Sequence, residues 1–447
     1  MFSLYTILIA VILGVGITWA LSRANDTLHP MVYLLPMCGF VYVYMPVSLY
    51  RSGEMLEYFS MAQVNSVQLL NLVCIGALVA GIRWGSGPVR RDSSRTDLHN
   101  FMLRPEVRQT MKTIGITLGV ISLLAYFYRI STVGGFYAAY DDPKGGGWAQ
   151  SGYIRELDLL VVPSIVLIYM SCFRRRVSVR TKLLIALFST PLLLHGLLSA
   201  RRGPTFLALA TLIGGWYLVQ NRRPRLSQVV VGGSIIGLLL LVLVTFRGQI
   251  YLGSSFFTSG PAATELVEKS LEYSTKGTFG NEFMMGLYIV ENADENDIRY
   301  WGRRYMTQLF VRPIPSAFWP TKYEDVGMEA LKVNAGLLGM TDLQEEHPMI
   351  PPGSAPGFVA SAYVEWGWGA PVFLLGLGWL YGMLWRRQLT YGGIWTVAYI
   401  GLLSTSVFFV AQAFLAVLFR LLVMFLPTYL VWKFSIASRS RPAPAYP

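Results

Sequence analysis

The sequence predicts an all-helical polytopic membrane protein, and three observations carry that prediction. Of 447 residues, 53% are hydrophobic and only 14% are charged, against roughly 25% charge in a soluble domain. The charges cluster, leaving uncharged runs long enough to cross a bilayer. Lys and Arg are also divided unevenly among the connections between those runs. So few charges cannot cover a water-facing surface of this size. A cytosolic enzyme, a disordered chain and a disulfide-stapled secreted domain are thereby excluded.

A membrane helix needs about 20 mostly apolar residues. The charge-free runs are Phe2–Leu21, Pro30–Tyr50, Val64–Ile82, Thr113–Tyr128, Leu159–Phe173, Leu183–Ala200, Gly203–Asn221, Leu226–Phe246 and Trp366–Trp385. The runs at 113 and 159 are short and borrow flanking residues. Gln388 to Trp432 is 45 residues long, interrupted only by Arg420, and reads as two helices turning near Ala411–Gln412. The prediction is therefore about eleven transmembrane helices. Phe2–Leu21 lacks a basic leader and is too long for a signal peptide, so it reads as an uncleaved first span. The chain divides into spans one to eight (1–246), one large loop (247–356), and spans nine to eleven with a tail (357–447).

Orientation follows the basic residues. With the N-terminus outside, the inner connections hold 21 Lys and Arg against four acidic residues, leaving 16 basic and 21 acidic residues outside. The net charge of +12 is thus mostly a topology signal, and nucleic acid is not needed to explain it. Cys38, Cys74 and Cys172 all lie in apolar runs and form no disulfide or zinc framework. His29, His99, His195 and His347 have no metal-ligand spacing. The sequence calls for neither a metal nor a cofactor.

The outer side carries the loop from Arg247 to Gly357, about 110 residues. Ordered loops of this length are usually functional. Pro261–Ser274 reads as a helix, with Pro261 at its start and Glu265, Glu268 and Glu272 on one face. Asn281–Ala293 reads as a second, with Phe283, Leu287 and Val290 on one face. Glu291–Asp297 reads as a solvated acidic turn and Trp301–Leu309 as a third helix. Arg312-Pro-Ile-Pro-Ser-Ala-Phe-Trp-Pro-Thr-Lys322 holds three prolines and reads as rigid, extended chain, as does Pro348–Pro356.

The most informative residues are arginines at the outer ends of helices, where the sidedness rule does not place them. Arg201 and Arg202 sit in a tight turn, Ser199-Ala-Arg-Arg-Gly-Pro-Thr205. Arg247 ends span eight. Arg420 lies about eight residues, hence roughly 12 Å, below the last outer turn. A charge in the apolar layer costs on the order of 3 kcal/mol at the centre. Each arginine alone is open to two readings: snorkelling or pairing with a loop carboxylate such as Glu365 or Glu282, or facing an anion. Taken as a group they favour a shared anion site, because the rigid guanidinium fork suits phosphate.

Other signals have plainer explanations. Gly376-Leu-Gly378-Trp-Leu-Tyr-Gly382 lies inside a span, so close helix packing explains it better than a nucleotide fingerprint. Glu156-Leu-Asp158 reads as a solvated charge pair at a helix start, and Asp141-Asp142 as a turn. His195 reads as a hydrogen-bonded core residue and His347 as a surface histidine that is also a candidate base. Trp366 and Trp368 fit an interfacial belt and are also placed to stack on sugars.

The layout, the Ser-Ala-Arg-Arg-Gly-Pro turn, Arg312…Pro315-Ser-Ala-Phe-Trp-Pro-Thr-Lys322 and Ser354…Phe358-Val-Ala-Ser-Ala-Tyr-Val-Glu365-Trp-Gly-Trp-Gly-Ala-Pro371 together resemble the O-antigen polymerase (Wzy-type) family. The last segment also resembles the O-antigen ligases. The resemblance implies a GT-C-like glycosyltransferase of the bacterial inner membrane, multi-pass, with a periplasmic loop and a periplasmic active site. It would join undecaprenyl-pyrophosphate-linked repeat units, both donor and acceptor, without metal or cofactor. Membrane lipid and a chain-length regulator are the implied partners. Under this reading Arg201, Arg202, Arg247, Arg312 and Arg420 hold the pyrophosphate, and Glu282, Glu365 and His347 are the candidate bases, in that order.

Rival readings differ in identifiable features. The ligases usually carry a histidine beside the Glu-x-Gly segment; here His347 lies upstream and Ser354 occupies that region. A rod-shape peptidoglycan polymerase would carry a prominent loop aspartate, which Asp342 fits poorly. A lipid-linked oligosaccharide flippase or exporter has no large outer loop. An acyltransferase would place its intramembrane histidine on the cytoplasmic half, whereas His195 falls on the outer half.

Overall fold

A computed structural model describes residues 1–88, 104–142, 154–220, 222–256, 260–275, 282–328 and 355–436. Among the described residues the chain is all-helical. Its main helices are α1 (Phe2–Ala24), α2 (Pro30–Ser52), α3 (Met61–Ser86) and α4 (Pro105–Thr132). Next come α5 (Val161–Ser171), α6 (Val179–Leu198), α7 (Arg202–Leu209) and α8 (Leu226–Thr245). The loop contributes α9 (Ala263–Thr275), α10 (Glu282–Glu295) and the short α11 (Arg303–Met306). The chain then runs through α12 (Gly357–Tyr391), α13 (Ile394–Ser404) and α14 (Phe414–Phe434).

Eight of these helices are long and apolar enough to cross a membrane: α1, α2, α3, α4, α6, α8, α12 and α14. The protein is a multi-pass membrane protein. Three of the eleven expected spans differ in kind. The run at 159–173 lies in a continuous helical stretch, Ile154–Leu157, Asp158–Leu160 and Val161–Ser171, in which every residue of α5 is buried, as in a helix enclosed by its neighbours. The run at 203–221 opens on Arg202, widens into a π turn at Ala210–Gly214 and ends at Val219. The first half of the long tail forms α13 and then Ser406–Ala411, too short for one continuous span. The expected break near Ala411–Gln412 is present, with α14 starting at Phe414.

The chain folds into two compact units, each assembled from separate stretches. The first comprises Met1–Val89, Glu272–Trp385 and Ser406–Phe419; the second comprises Arg90–Leu271, Arg386–Thr405 and Arg420–Pro447.

In the first unit α3 and α12 touch backbone to backbone. A methyl group added at Gly81 would stand 2.1 Å from the Leu375 carbonyl oxygen, and one at Gly85 2.1 Å from that of Trp379. From the other side, one at Gly378 would stand 2.2 Å from the Leu78 oxygen, and one at Gly382 2.3 Å from that of Ile82. Two small-xxx-small pairs therefore face each other, which is how helices pack closely where lipid supplies no hydrophobic drive. The glycine run in α12 is packing, as its position inside a span predicts. At one end of this crossing Trp385 Nε1 donates to Asp26 Oδ2 at 2.9 Å, and His29 Nε2 bonds Ser86 Oγ at 2.9 Å.

In the second unit α5 is the hub. Ser164 Oγ donates to the Gly115 carbonyl of α4 at 2.6 Å, and a side chain at Gly115 would meet Ile168 and Ser164. By contrast α8 buries only Leu243, with Leu239, Leu240 and Val242 half-buried against the same cluster.

Gly378→Ala should lower thermal stability in detergent by the overpacking cost of about 1–3 kcal/mol or more. Gly376→Ala, one residue pair away on the same helix with nothing within 4 Å, should leave it unchanged. Fluorescence-detected size exclusion after heating checks both. Equal melting of the two variants would remove the close crossing.

Candidate functional site

The loop helices form largely where periodicity puts them. Helix α10 buries Phe283, Leu287 and Val290, the face predicted for it. It runs alongside the first turns of α12, where a Cβ at Gly286 would lie 3.1 Å from the Pro356 carbonyl oxygen and 3.6 Å from Ala360 Cβ. The helix continues to Glu295, through part of the stretch expected as an acidic turn. Beyond it, Asp297 and Trp301 take positive φ (50° and 52°) and Gly302 takes 83°, turning the chain back onto α12. Tyr300 N donates to the Val364 carbonyl at 3.1 Å and Trp301 N to that of Glu365 at 2.8 Å.

This return places a buried ion pair. Arg304 Nε donates to Glu365 Oε1 at 2.5 Å, and Gly302 N donates to Glu365 Oε2 at 2.8 Å. Arg304 Nη2 donates to the Ser361 carbonyl at 3.2 Å, and the guanidinium lies 4.7 Å from the Tyr300 ring centre. Both side chains are sealed from solvent, at 1% and 0% exposure. Both oxygens of Glu365, expected as a candidate base, thus accept hydrogen bonds in this enclosed pair.

A second, more exposed set lies beside the pair. Asp294 pairs with Arg299 and accepts from the Tyr363 hydroxyl at 2.8 Å.

Glu282 is also buried, at the first residue of α10, where the helix dipole favours a carboxylate. Its charge reaches the Tyr42 hydroxyl, which in turn accepts from Val359 N at 3.3 Å. Glu282 and Glu365 therefore lie toward opposite ends of the same helix pair. Val359 and Glu365 are about 9 Å apart along the helix axis. They do not form one site. His347 lies outside the described residues.

The proline-rich stretch after α11 is not extended chain. The helix leaves α11 through a π turn, Thr307–Val311. Consecutive tight turns follow, with Ile314 N donating to the Val311 carbonyl at 3.1 Å and Phe318 N to that of Pro315 at 3.0 Å. Proline presets the backbone angle of such turns. Lys322 is buried and donates to the carbonyls of Arg312 (3.2 Å) and Ile314, tying the turns together. Arg312 donates to Gln308 Oε1 at 2.9 Å and lies over the Phe419 ring at 4.4 Å.

Arg201, Arg202 and Arg247 all belong to the second unit. The tight turn between α6 and α7 is present. Ala200 takes φ 47° and Arg201 N donates to the Gly196 carbonyl at 2.8 Å. A Cβ at Gly196 would stand 2.2 Å from Thr205 Oγ1, so the two helices touch at the turn. Ala200 then packs in one apolar cluster with Leu243, Phe246 and Ile250. These residues flank Arg201 on one side and Arg247 on the other, so the cluster brings the two arginine segments to one end of the unit. Both arginines and Arg202 are half-buried. Arg420, on α14, is half-buried in the same unit.

Sequence reading missed a further arginine at this end. Arg129, the last charged residue of α4, is buried and paired with Asp158. Asp158 is not the solvated helix-start charge expected of it: it is 6% exposed, and its carbonyl accepts from Ser122 Oγ at 2.9 Å. The signal was present, since Arg129 and Asp158 bracket two apolar runs at the same predicted end. Nearby, the Tyr126 and Tyr140 hydroxyls meet at 2.8 Å, and the Leu252 amide donates to the Tyr140 carbonyl at 2.7 Å. Burial holds the Tyr140 hydroxyl well above the usual tyrosine pKa, the bond to Tyr126 adds to this, and Arg129 and Arg201 pull the other way. Arg129 and Arg201 therefore share one neighbour.

Among the described residues no group of three or more His, Cys, Asp or Glu side chains is arranged to hold a metal ion. No family model matches the chain, and no curated protein or solved structure is significantly similar to it.

Removing one partner of the buried pair should be costly. Glu365→Gln or Arg304→Met alone should destabilise by about 3–5 kcal/mol, whereas Arg304→Met with Glu365→Leu should recover most of the loss. Thermal denaturation of the three variants in detergent checks this. A single variant as stable as the parent would mean that the pair does not anchor the loop.

Proposed function

We propose that the protein is a membrane glycosyltransferase. It joins undecaprenyl-pyrophosphate-linked oligosaccharide repeat units on the periplasmic face of the bacterial inner membrane, as O-antigen polymerases of the Wzy type do. The observation that carries this reading is the gathering of Arg201, Arg202 and Arg247 around one apolar cluster at one end of the second unit, with Arg129 close by. The family resemblance of the Ser-Ala-Arg-Arg-Gly-Pro turn and of the segment 312–322 supports it. So does the basic-residue bias, which puts this end outside.

In the proposed reaction the bond between the anomeric carbon of the donor glycan and its phosphate oxygen breaks. A new bond forms from that carbon to a hydroxyl oxygen of the incoming unit, and the hydroxyl proton leaves. Negative charge grows on the departing pyrophosphate. Cations fixed in advance at that position stabilise the developing charge more than the ground state, and this difference lowers the barrier. Arg201, Arg202 and Arg247 are the proposed clamp, with Arg420 of the same unit as a further cation. Arg312, expected in the same clamp, is held by Gln308 and Phe419 in the first unit. A pyrophosphate is a good leaving group, so weak base assistance suffices. The candidate bases are Glu282, Glu365, which Arg304 and Gly302 engage, and His347, outside the described residues.

Purified protein given lipid-linked repeat units in detergent should produce a ladder of polymer, with no gradient present. Arg201→Ala, Arg202→Ala or Arg247→Ala should each reduce its rate on the order of 10²–10³-fold, as loss of an oxyanion donor does, with expression and melting temperature near those of the parent. A ladder undiminished in all three variants would overturn the clamp. No ladder from the parent, with lipid-dependent transport in vesicles, would replace the enzyme by an exporter. Transfer to a lipid A core acceptor instead of chain growth would make it a ligase.

A further inference from the structure

The segment after the buried ion pair is amphipathic in the opposite sense to a water-facing loop. From Arg303 to Val311 it is one continuous helical stretch, α11 and its π turn. Arg304, Thr307 and Gln308 point inward, Arg304 fully buried and the other two 4% and 2% exposed, alongside the buried Tyr305. Several large apolar side chains of the region point outward. Trp301 and Phe310 are each 67% exposed, Met306 57%, and Phe318, in the turns that follow, 84%. In water the opposite arrangement is the stable one, because polar groups gain solvation outside and apolar groups gain it inside.

The neighbours of the inward face supply the reason. Tyr305 stacks on Phe373 of α12 at 5.4 Å and meets Phe414, the first residue of α14, at 6.0 Å. The segment is therefore packed on α12 near its middle and on the start of α14, two helices long and apolar enough to span a membrane. Val372, next to Phe373, is 75% exposed on the outer surface of α12. Val372 and the outward residues of 301–318 are thus exposed apolar side chains on neighbouring elements. Trp301 and the exposed Arg303 stand at its start, the residue types that anchor an element at headgroup level.

We infer that residues 301–318 lie in the interfacial layer of the bilayer, with Met306, Phe310 and Phe318 in contact with acyl chains and Trp301 and Arg303 at the headgroups. The inference needs only that the protein is multi-pass, and stands whether or not it is a glycosyltransferase. It makes this stretch a membrane element, with its backbone satisfied by the π turn, the tight turns and the buried Lys322.

The test uses the full-length protein in phospholipid nanodiscs. Cys172→Ser leaves only the buried Cys38 and Cys74. Single cysteines then replace Phe310, Phe318 and, as a water-facing reference in the same unit, Glu295, and each carries an environment-sensitive nitrobenzoxadiazole label. Labels at 310 and 318 should lose emission to phospholipids brominated near the top of the acyl chain, about 5–10 Å below the headgroups, and keep it against aqueous iodide. The label at 295 should show the reverse. Iodide quenching at 310 and 318 would overturn the inference. Protection from both quenchers would also overturn it and put protein, a second copy or a partner, on this face. Because Phe318 is the most exposed of the three aromatic positions, its variant decides the matter if the Phe310 variant fails to fold.

Discussion

The contact between Arg304 and Glu365 is the constraint on which the rest of the first unit depends. Neither charge can be left alone in a closed interior, since the desolvation of one uncompensated ion costs several kcal/mol. The partners are 61 positions apart, so satisfying both requires the loop to return to the helix it precedes. Gly302, in a conformation that suits glycine, brings its amide to the second carboxylate oxygen. The reversal at 297–302, the seating of α11 and the aromatic packing of Tyr305 on Phe373 all follow from that return. The glycine crossing of α3 and α12 holds the other partner of the contact in place, because α12 can then neither slide nor rotate without backbone overlap.

The second unit answers the same electrostatic demand with different residues. Arg129 and Asp158 belong to segments that enter the apolar layer at one end, and they neutralise each other there. The arginines proposed to bind substrate are placed differently. Arg201 and Arg202 sit on a tight turn and Arg247 just past a helix, half-buried beside an apolar cluster. Arg129 and Arg304 are enclosed and paired with a carboxylate; Arg201, Arg202 and Arg247 of the proposed clamp are half-buried. A charge that is fully enclosed fixes the fold, and a charge at the rim can exchange partners during a reaction.

The sequence made legible whatever local pattern or composition decides. The eight long apolar helices, the Ser199–Thr205 turn, the buried face of α10 and the packing role of Gly378 and Gly382 were all readable, because spacing alone specifies them. What it left illegible depends on distant partners. Hydropathy cannot separate α5, enclosed by protein, from a helix enclosed by lipid, since both are apolar all round. Asp158 looks like an ordinary helix-start acid until Arg129 is placed against it. Three prolines between 312 and 320 are compatible with extended chain and with successive turns, and the choice was made by Lys322, whose ammonium gathers two carbonyls. Glu365 reads as a possible base because nothing nearby in sequence shows that both its oxygens are taken.

That last residue bears on the chemistry. Glu365, the carboxylate adjacent in sequence to Trp366 and close to Trp368, is engaged by Arg304 and the Gly302 amide. For a poor leaving group this would be a serious loss, because proton transfer to or from a positioned side chain contributes typically 10²–10⁴-fold. Departure of a pyrophosphate makes a different demand. The charge that develops is on the phosphate, and its stabilisation is worth more in an environment of low dielectric than in water. Under the proposed function, Arg201, Arg202 and Arg247 would supply that stabilisation, while the buried carboxylates Asp158 and Glu365 are held in ion pairs.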